Sequence, residues 1–348
     1  MRDSRPTIID IAKVAGVSFK TVSRVLNDNP RVASDLRERV LKAAADLNYR
    51  PNIAARSLAS ARSYAIAMLI SSESVANADA EGWYLPPFVM DLQARALLAC
   101  QELGYRFYVA IVDLHEPLDE QLSTHRLHID GAILAPPIAD KRTVLEALER
   151  NSISYVRIAP GIEPERSPAV RADEYGGAFA LTQHLLSLGH RRFGFVHGPA
   201  NHLAAAQRHA AFQDALAAYP DSEAVSVPGD FTFTGGIEAG ESLLSLDRPP
   251  TAIFAANDEM GAGVIAVATS RGIKVPDALS VVGFDDSLFA RMITPPLTTV
   301  HQPITEMVGT ATKILAGTIA VETPPQMIEL PCRIIERGST ARPDFQPQ

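Results

Sequence analysis

From Tyr64 onward, short apolar runs alternate with longer stretches whose apolar positions recur at helical spacing. Ala65–Ile70, Arg106–Val112, Gly131–Ala135 and Ile153–Ile158 read as strands. Val89–Leu103, a stretch near Leu118–Leu127, and Thr143–Arg150 read as helices between them. A second set begins near Asp173, with helices at Glu174–Leu188, Leu203–Ala218, Thr234–Leu246 and Met260–Arg271. Its strands are Phe193–His197, a short one near Ala224–Val227, Ala252–Ala256 and Ser280–Phe284. A helix at Thr305–Ala316 and a strand near Met327–Leu330 close the series. Strands alternating with helices predict parallel sheets with helices on both faces.

The first sixty residues have another rhythm. Thr7 is placed to cap a helix over Ile8–Val14, with Asp10 as the acidic half of a capping box. Ala15-Gly16-Val17 breaks it, and Ser18 caps a second helix, Phe19–Leu26. Val17 and Val22 stand at the staple positions around that cap. Val22, Val25 and Leu26 can face the first helix, which leaves Phe19, Lys20, Ser23, Arg24 and Asn27 pointing elsewhere. Two short helices joined by a Gly-containing turn form the helix-turn-helix pattern, whose second helix enters the major groove. Lys20 and Arg24 lie four apart and share a face, and Arg and Lys suit guanine O6 and N7. A small helical bundle with a solvated basic face is the plainer reading of the same residues. Ser34 caps a third helix with Leu36, Val40, Ala43 and Leu47 at helical spacing.

Longer motifs decide between these readings. Ile9-Asp10-Ile11-Ala12-Lys13-Val14-Ala15-Gly16-Val17-Ser18, Thr21-Val22-Ser23-Arg24-Val25-Leu26-Asn27, Leu47-Asn48-Tyr49-Arg50-Pro51-Asn52 and Ala55-Arg56-Ser57-Leu58 stand in order and at matching spacing. At these residues the chain resembles the lactose-repressor (LacI) family of bacterial transcription regulators. The resemblance implies a helix-turn-helix head over residues 1–50, a hinge over 51–62 and an effector-binding body over 63–348. It implies a periplasmic-binding-protein-like body of two parallel-sheet subdomains. The first covers about 63–171 and 301–331; the second covers about 172–300 plus the C-terminal segment, so the chain crosses between them three times. Thr7, Ser18, Phe19, Lys20, Thr21, Ser23, Arg24, Asn27, Tyr49, Asn52, Ala55 and Leu58 are then the expected DNA-contacting set. Ala54 and Ala55 allow two hinge helices to approach closely. Leu58 is expected to wedge into the minor groove at the operator centre.

Charge supports a nucleic-acid partner only once it is divided along the chain. Of the 348 residues, 1–62 hold 12 Lys+Arg against 6 Asp+Glu, net +6. The remainder holds 20 against 34, net −14, so the overall −8 hides a basic head on an acidic body. Cys100 and Cys332 lack metal-ligand spacing and read as buried inert thiols in helix-like and strand-like surroundings, which suits a reducing cytoplasm. Residues 1–30 lack the apolar core of a signal peptide, and no stretch reads as a membrane span, so a cytoplasmic protein is expected. The polar tail Gly338–Gln348 has no heptads, so a tetramerising coiled coil is not expected.

Ligands of open α/β sheets sit beyond the carboxyl ends of the strands. Here those ends carry Asn257-Asp258, Asp285-Asp286 and Gly198-Pro199, with Arg208 on the following helix and Asp230-Phe231 after a short strand. Arg208, Asn257 and Asp285 match the family positions that hold effector hydroxyls, and Phe231 matches its aromatic wall. Each has a plain alternative: Asn257, Asp258 and Asp285 as helix caps, Arg208 as a surface charge. From the first subdomain, Ser71, Trp83, Tyr84 and Arg157 are the candidates. Arg157 interrupts an apolar strand, so it either faces the ligand or is paired internally. Many family members carry an aspartate where Ala159 stands, which weakens the match there. No HExxH, GxSxG or Walker loop is present, so an enzyme is not expected, nor is a cofactor or metal. The reading is a homodimeric, effector-controlled repressor on a pseudo-palindromic operator, with a carbohydrate effector first and a purine or nucleoside second. A sugar-binding module without a DNA role leaves the basic head unexplained.

Overall fold

The structure is a computed structural model. It describes residues 6–26, 31–49, 62–72, 85–123, 127–200, 202–320, 325 and 327–343. The chain forms two compact units, Met1–Ser63 and Tyr64–Gln348.

The head unit holds three helices, α1 (Ile8–Ala15), α2 (Phe19–Leu26) and α3 (Ser34–Asp46). Thr7 and Asp10 make the expected reciprocal capping box on α1. Gly16 ends the helix at φ 62°, a left-handed conformation that a side chain disfavours. The Arg39 guanidinium donates to the Ala15 carbonyl at 2.6 Å, which ties α3 to the end of α1. Ser18 Oγ accepts from Thr21 N at 3.1 Å and starts α2. Ile11, Ala15, Val22, Val25, Val40 and Ala43 form the buried core of the head. The cap on α3 differs from expectation. Ser34 is its first residue, and Ala33 occupies the cap position without a side-chain bond.

The body is built on two parallel sheets. The first contains β1 (Ala65–Ser71), β2 (Arg106–Val112), β3 (Gly131–Leu134), β4 (Tyr155–Ile158), β5 (Ala169–Ala172) and a late strand, β11 (Met327–Leu330), in the order β11-β5-β4-β3-β1-β2. β1 is buried along its whole length, which is why it reads as an unbroken apolar run rather than an alternation. β2 is an edge strand and leaves Val109 and Ile111 exposed. Helices α4 (Pro87–Glu102), α5 (Leu118–Gln121) and α6 (Arg142–Arg150) join these strands. Of the stretch expected to be helical near Leu118–Leu127, α5 covers Leu118–Gln121, and residues 124–126 lie outside the described residues. Ile153 precedes its strand rather than opening it.

The second sheet has the order β7-β6-β8-β9, from β6 (Arg192–Val196), β7 (Glu223–Val227), β8 (Ala252–Ala255) and β9 (Ser280–Val282). Its helices are α7 (Glu174–Ser187), α8 (Leu203–Ala217), α9 (Phe233–Leu244), α10 (Asp258–Ser270) and α11 (Leu288–Met292). The hydrophobic pattern gave no warning of α11, a short helix with Leu288 and Met292 exposed. Phe193, Phe195, Phe212 and Phe254 meet edge-on or tilted in the core with ring centroids 4.9–6.2 Å apart. Helices α9 and α10 touch backbone to backbone. A Cβ at Gly236 would lie 2.4 Å from the Met260 carbonyl oxygen, and one at Gly263 would lie 2.4 Å from that of Phe233.

Three chain segments pass between the sheets. The first runs from β5 into α7. The second follows β10 (Thr299–His301) into α12 (Ile304–Leu315), which packs on β4 and β5. The third leaves β11 for β12 (Arg333–Ile335), which pairs antiparallel with β10. Through α12 and β11 the late part of the chain joins the first sheet. The tail is less loose than its polarity suggests. Ser339 is fully buried, accepting from Thr298 N and donating to the Val281 carbonyl, and Ala341 O meets the His190 ring. Cys100 is buried, whereas Cys332 is only partly buried and sits between β11 and β12 rather than in a strand.

Candidate functional site

In the head, α2 divides as its sequence requires. Val22 and Val25 are buried, Leu26 packs at the core's edge, and Phe19, Lys20 and Arg24 are exposed. Phe19 is 56 % exposed. Ser18 and Thr21 bond each other through their hydroxyls at 2.9 Å, so both serve the start of α2. Ser23 is half-buried. Thr7 is exposed, with its hydroxyl on Asp10 at 2.7 Å. Tyr49 packs against the head core, which gives its ring a structural role beside any contact with DNA. Asn27, Asn52, Ala55 and Leu58 lie outside the described residues, as do Trp83 and Tyr84 of the body.

In the body, the polar set does converge at the carboxyl ends of the second sheet. Arg208, on α8, is 4 % exposed. Its Nε donates to Glu174 at 2.7 Å, and its other nitrogens donate to the Ala256 carbonyl and to Asp285. The Phe284 ring lies under the guanidinium carbon at 3.8 Å from its centroid. This is a buried ion pair, so the reading of Arg208 as a surface charge is excluded. Burial weakens the guanidinium's hold on its proton, but Glu174 and then Asp285 more than offset that.

Asn257 serves two ends. Its Oδ1 accepts from Met260 N at 3.0 Å and caps α10, and its Nδ2 donates to the Phe231 carbonyl at 2.9 Å. The second bond holds Phe231 at φ 69°, a conformation that a bulky residue disfavours. The cap expected as the plain alternative is therefore real, and the nitrogen of the same amide holds the backbone of Phe231. Asp285 does not cap a helix. It sits at φ 117° and accepts from Gln302 Nε2 at 2.7 Å. Asp258 is fully buried, accepting from the Thr299 hydroxyl at 2.5 Å and from Ser287 N at 2.7 Å. Burial raises both carboxyls above the ordinary range. The Asp285 charge adds to this at Asp258, and the Glu174 charge adds to it at Asp285 against the pull of Arg208.

Glu174 and Gln302 are the members that sequence reasoning missed. Glu174 was hidden as the first residue of a helix, where an acid is ordinary. Gln302 follows the crossing strand β10. The His202 ring stands edge-on to Phe231 at 5.1 Å. Burial, then the Arg208 charge, push its pKa down to about 4.

The first sheet contributes less than expected. Ser71 is fully buried at the end of β1. Arg157 is fully buried and binds its own loop, with Nε on Ser167 at 2.9 Å and its other nitrogens on the carbonyls of Ile162 and Glu163. Of the two roles open to it, internal pairing is the one the structure takes, and this corrects its place among the ligand candidates. That loop reaches the second sheet's side, where a Cβ on Gly161 would lie 3.2 Å from Leu203 Cβ. Two surface hollows lie apart from the polar set. One, of about 480 Å³, runs between α4 and β2. The other, of about 210 Å³, lies beside His197 and His209. Neither is lined by Arg208, Asn257 or Asp285.

Comparison with known proteins fits both halves. Residues 7–52 match the family described as bacterial regulatory proteins, lacI family, and residues 182–340 match the periplasmic binding protein-like domain. Catabolite control protein A of Priestia megaterium is 33 % identical over 347 residues, covering 96 % of this chain and 99 % of its own. The HTH-type transcriptional regulator CelR of Thermobifida fusca is 34 % identical over 332 residues, 92 % and 94 % of the two chains. Among solved structures, a CelR–cellobiose complex superimposes with a TM-score of 0.67 at 30 % identity, covering 96 % of this chain and all of that one. The lac repressor dimer bound to operator and the anti-inducer ONPF gives 0.67 at 26 % identity, over 97 % and 100 %. CelR is named a transcriptional regulator, and the lac repressor dimer is bound to its operator. With a matching head, a matching body and full-length relatives, this chain belongs to the lacI family of bacterial regulatory proteins.

Proposed function

We propose that this DNA-binding regulator is a cytoplasmic, homodimeric repressor whose hold on a pseudo-palindromic operator is set by a small molecule bound beside Phe231, Asn257 and Asp285. The observation that carries the reading is the exposed Phe19, Lys20 and Arg24 face of α2 in the same chain as a buried polar set at the sheet ends. Exposed apolar residues support pairing with a second copy: Met90, Leu97 and Leu98 on α4, and Ile111 on the edge strand β2. Among the described residues no helix is long and apolar enough to cross a membrane.

The crossing segments are where ligand and DNA affinity are coupled. A ligand that binds one arrangement of the two sheets better than another shifts the population between them. The hinge residues 51–62, with Leu58 as the central wedge, would carry that shift to the operator. A carbohydrate is the first effector class, supported by the CelR–cellobiose complex among the relatives. A purine or nucleoside is the second.

The test is selection of bound sequences from random duplex DNA, followed by titration of sugars and nucleobases into the resulting complex. A two-fold symmetric consensus released or tightened by one of these compounds is the expected result. Asymmetric or sequence-blind binding would refute it.

A further inference from the structure

We propose that the bond between Asp286 and His301 is a latch on the second crossing segment, with Arg337 as its fixed anchor, and that opening it is the step that changes the arrangement of the two sheets. The inference rests on the reading of the crossing segments as the link between ligand and operator.

It starts from strain. The turn after β9 holds two consecutive residues at positive φ, Asp285 at 117° and Asp286 at 55°. An aspartate tolerates the left-handed helical region near 55°, but 117° lies outside it. Such a conformation persists only where its surroundings over-determine it, and it gathers at sites that switch. Here the second crossing segment supplies the restraint. Asp285 N donates to the Val300 carbonyl at 2.9 Å, and Asp286 N donates to the Thr299 hydroxyl at 3.4 Å.

Three carboxyls at this edge of the second sheet hold the same segment by its side chains. Asp258 takes Thr299, Asp285 takes Gln302, and Asp286 takes His301. Among the described residues Asp286 is the one of the three that also reaches the end of the third crossing segment. Its Oδ1 accepts from Arg337, which follows β12. Its Oδ2 accepts from His301 Nδ1 at 2.9 Å and from Arg291, on α11, at 3.1 Å. A carboxylate only accepts, so the imidazole carries a proton on Nδ1. Burial pushes the Asp286 carboxyl up, but the bonds from Arg337 and His301 outweigh that and hold it below the ordinary range.

The three bonds differ in what would break them. The side chains of Asp286 and Arg337 are 5 % and 16 % exposed. Arg337 is fixed twice more, its other terminal nitrogen donating to the Leu297 carbonyl at 2.8 Å and its backbone N to the Thr298 hydroxyl at 2.9 Å. Arg291 is 59 % exposed, but it belongs to the second sheet's own helices, so its release frees no crossing segment. The His301 side chain is 32 % exposed, and its ring makes no other hydrogen bond among the described residues. Water can replace that bond at little cost. Its loss loosens the end of β10, and with it Gln302, the partner of Asp285.

The experiment uses the full-length chain and three variants. His301→Ala removes the bond. His301→Asn keeps it, because the amide nitrogen stands where the imidazole Nδ1 stands. Asp286→Asn breaks it from the other side by turning an acceptor into a donor. Hydrogen exchange read by mass spectrometry follows peptides spanning 299–302, with β8 peptides as the control. Gel shifts measure affinity for the operator duplex selected from random DNA. His301→Ala should melt within about 2 °C of wild type, since the bond is open to water. Exchange over 299–302 should rise about tenfold while β8 is unchanged. Operator affinity should shift at least about threefold, its direction telling whether the latched arrangement is the one that grips DNA. His301→Asn should restore both values. Asp286→Asn should match its double variant with His301→Ala, because the histidine acts through the carboxylate.

Unchanged exchange over 299–302, or unchanged operator affinity, overturns the proposal. So does a His301→Asn no better than His301→Ala, a double variant worse than Asp286→Asn, or a His301→Ala that no longer folds, since a latch is dispensable to the fold. Specific operator binding by the wild type with any of these results sinks this inference alone, whereas absence of sequence-specific binding by the wild type sinks the regulator reading.

Discussion

Replacing Arg208 by alanine tests whether the polar set is part of the fold or an appendage to it. The substitution removes the guanidinium from between Glu174 and Asp285, both within bonding distance of it. Deleting one partner of a buried ion pair costs about 3–5 kcal/mol, because the other is left uncompensated in a low dielectric. The side chains of Arg208 and Glu174 are 5 % and 4 % exposed, so little water is there to screen the loss. At roughly 2–4 °C per kcal/mol for a domain of this size, the melting temperature should fall by on the order of 10 °C. Glu174→Gln in the same chain should recover part of that, giving a coupling energy of about 1.5–3 kcal/mol in a double-mutant cycle. Circular-dichroism melts of the four proteins supply the numbers. A single variant that melts within about 2 °C of wild type, or a cycle additive within about 0.5 kcal/mol, would refute the argument. The practical consequence is that a lost effector response in Arg208→Ala reports on ligand contact only after the fold has been measured.

The close passage of α9 over α10 predicts that Gly263→Ala, whose Cβ would fall 2.4 Å from the Phe233 carbonyl, costs about 1–3 kcal/mol in urea melts; an unchanged midpoint would mean that the helices slide freely. In the head, Arg24→Ala should weaken operator binding by about 1–3 kcal/mol and relax preference at one base pair, as competition gel shifts would show; equal loss on every sequence would reduce Arg24 to a phosphate contact. Stability should also depend on pH through Asp258, whose folded pKa is pushed up to about 8 from 3.8. Between those values the folded state binds the extra proton, so stability is greatest at the acid end and falls as pH rises, by up to about 1.4 kcal/mol per unit. Asp258→Asn should flatten that slope, and equal slopes in both proteins would refute the assignment.

The sequence by itself determined the elements that local chemistry controls. Thr7 and Asp10, Ser18 and Thr21, and Gly16 mark the helix ends of the head because capping and a left-handed turn need only neighbours. The apolar run of β1 announces a strand buried on both faces. Asn257 and Asp285 were legible because strand ends in α/β sheets point their polar residues at one place.

What tertiary structure decided was pairing. Arg157 interrupts an apolar strand, whereas Arg208 stands between Gln207 and His209 on a helix. One is consumed by its own loop and the other by Glu174, 34 positions away. Gln302 and Ser339 acquire their roles only because β10 and the tail return to β9 and its neighbours. No local pattern encodes such a partner, because a buried charge or amide is satisfied by whichever group the folded chain brings within bonding distance.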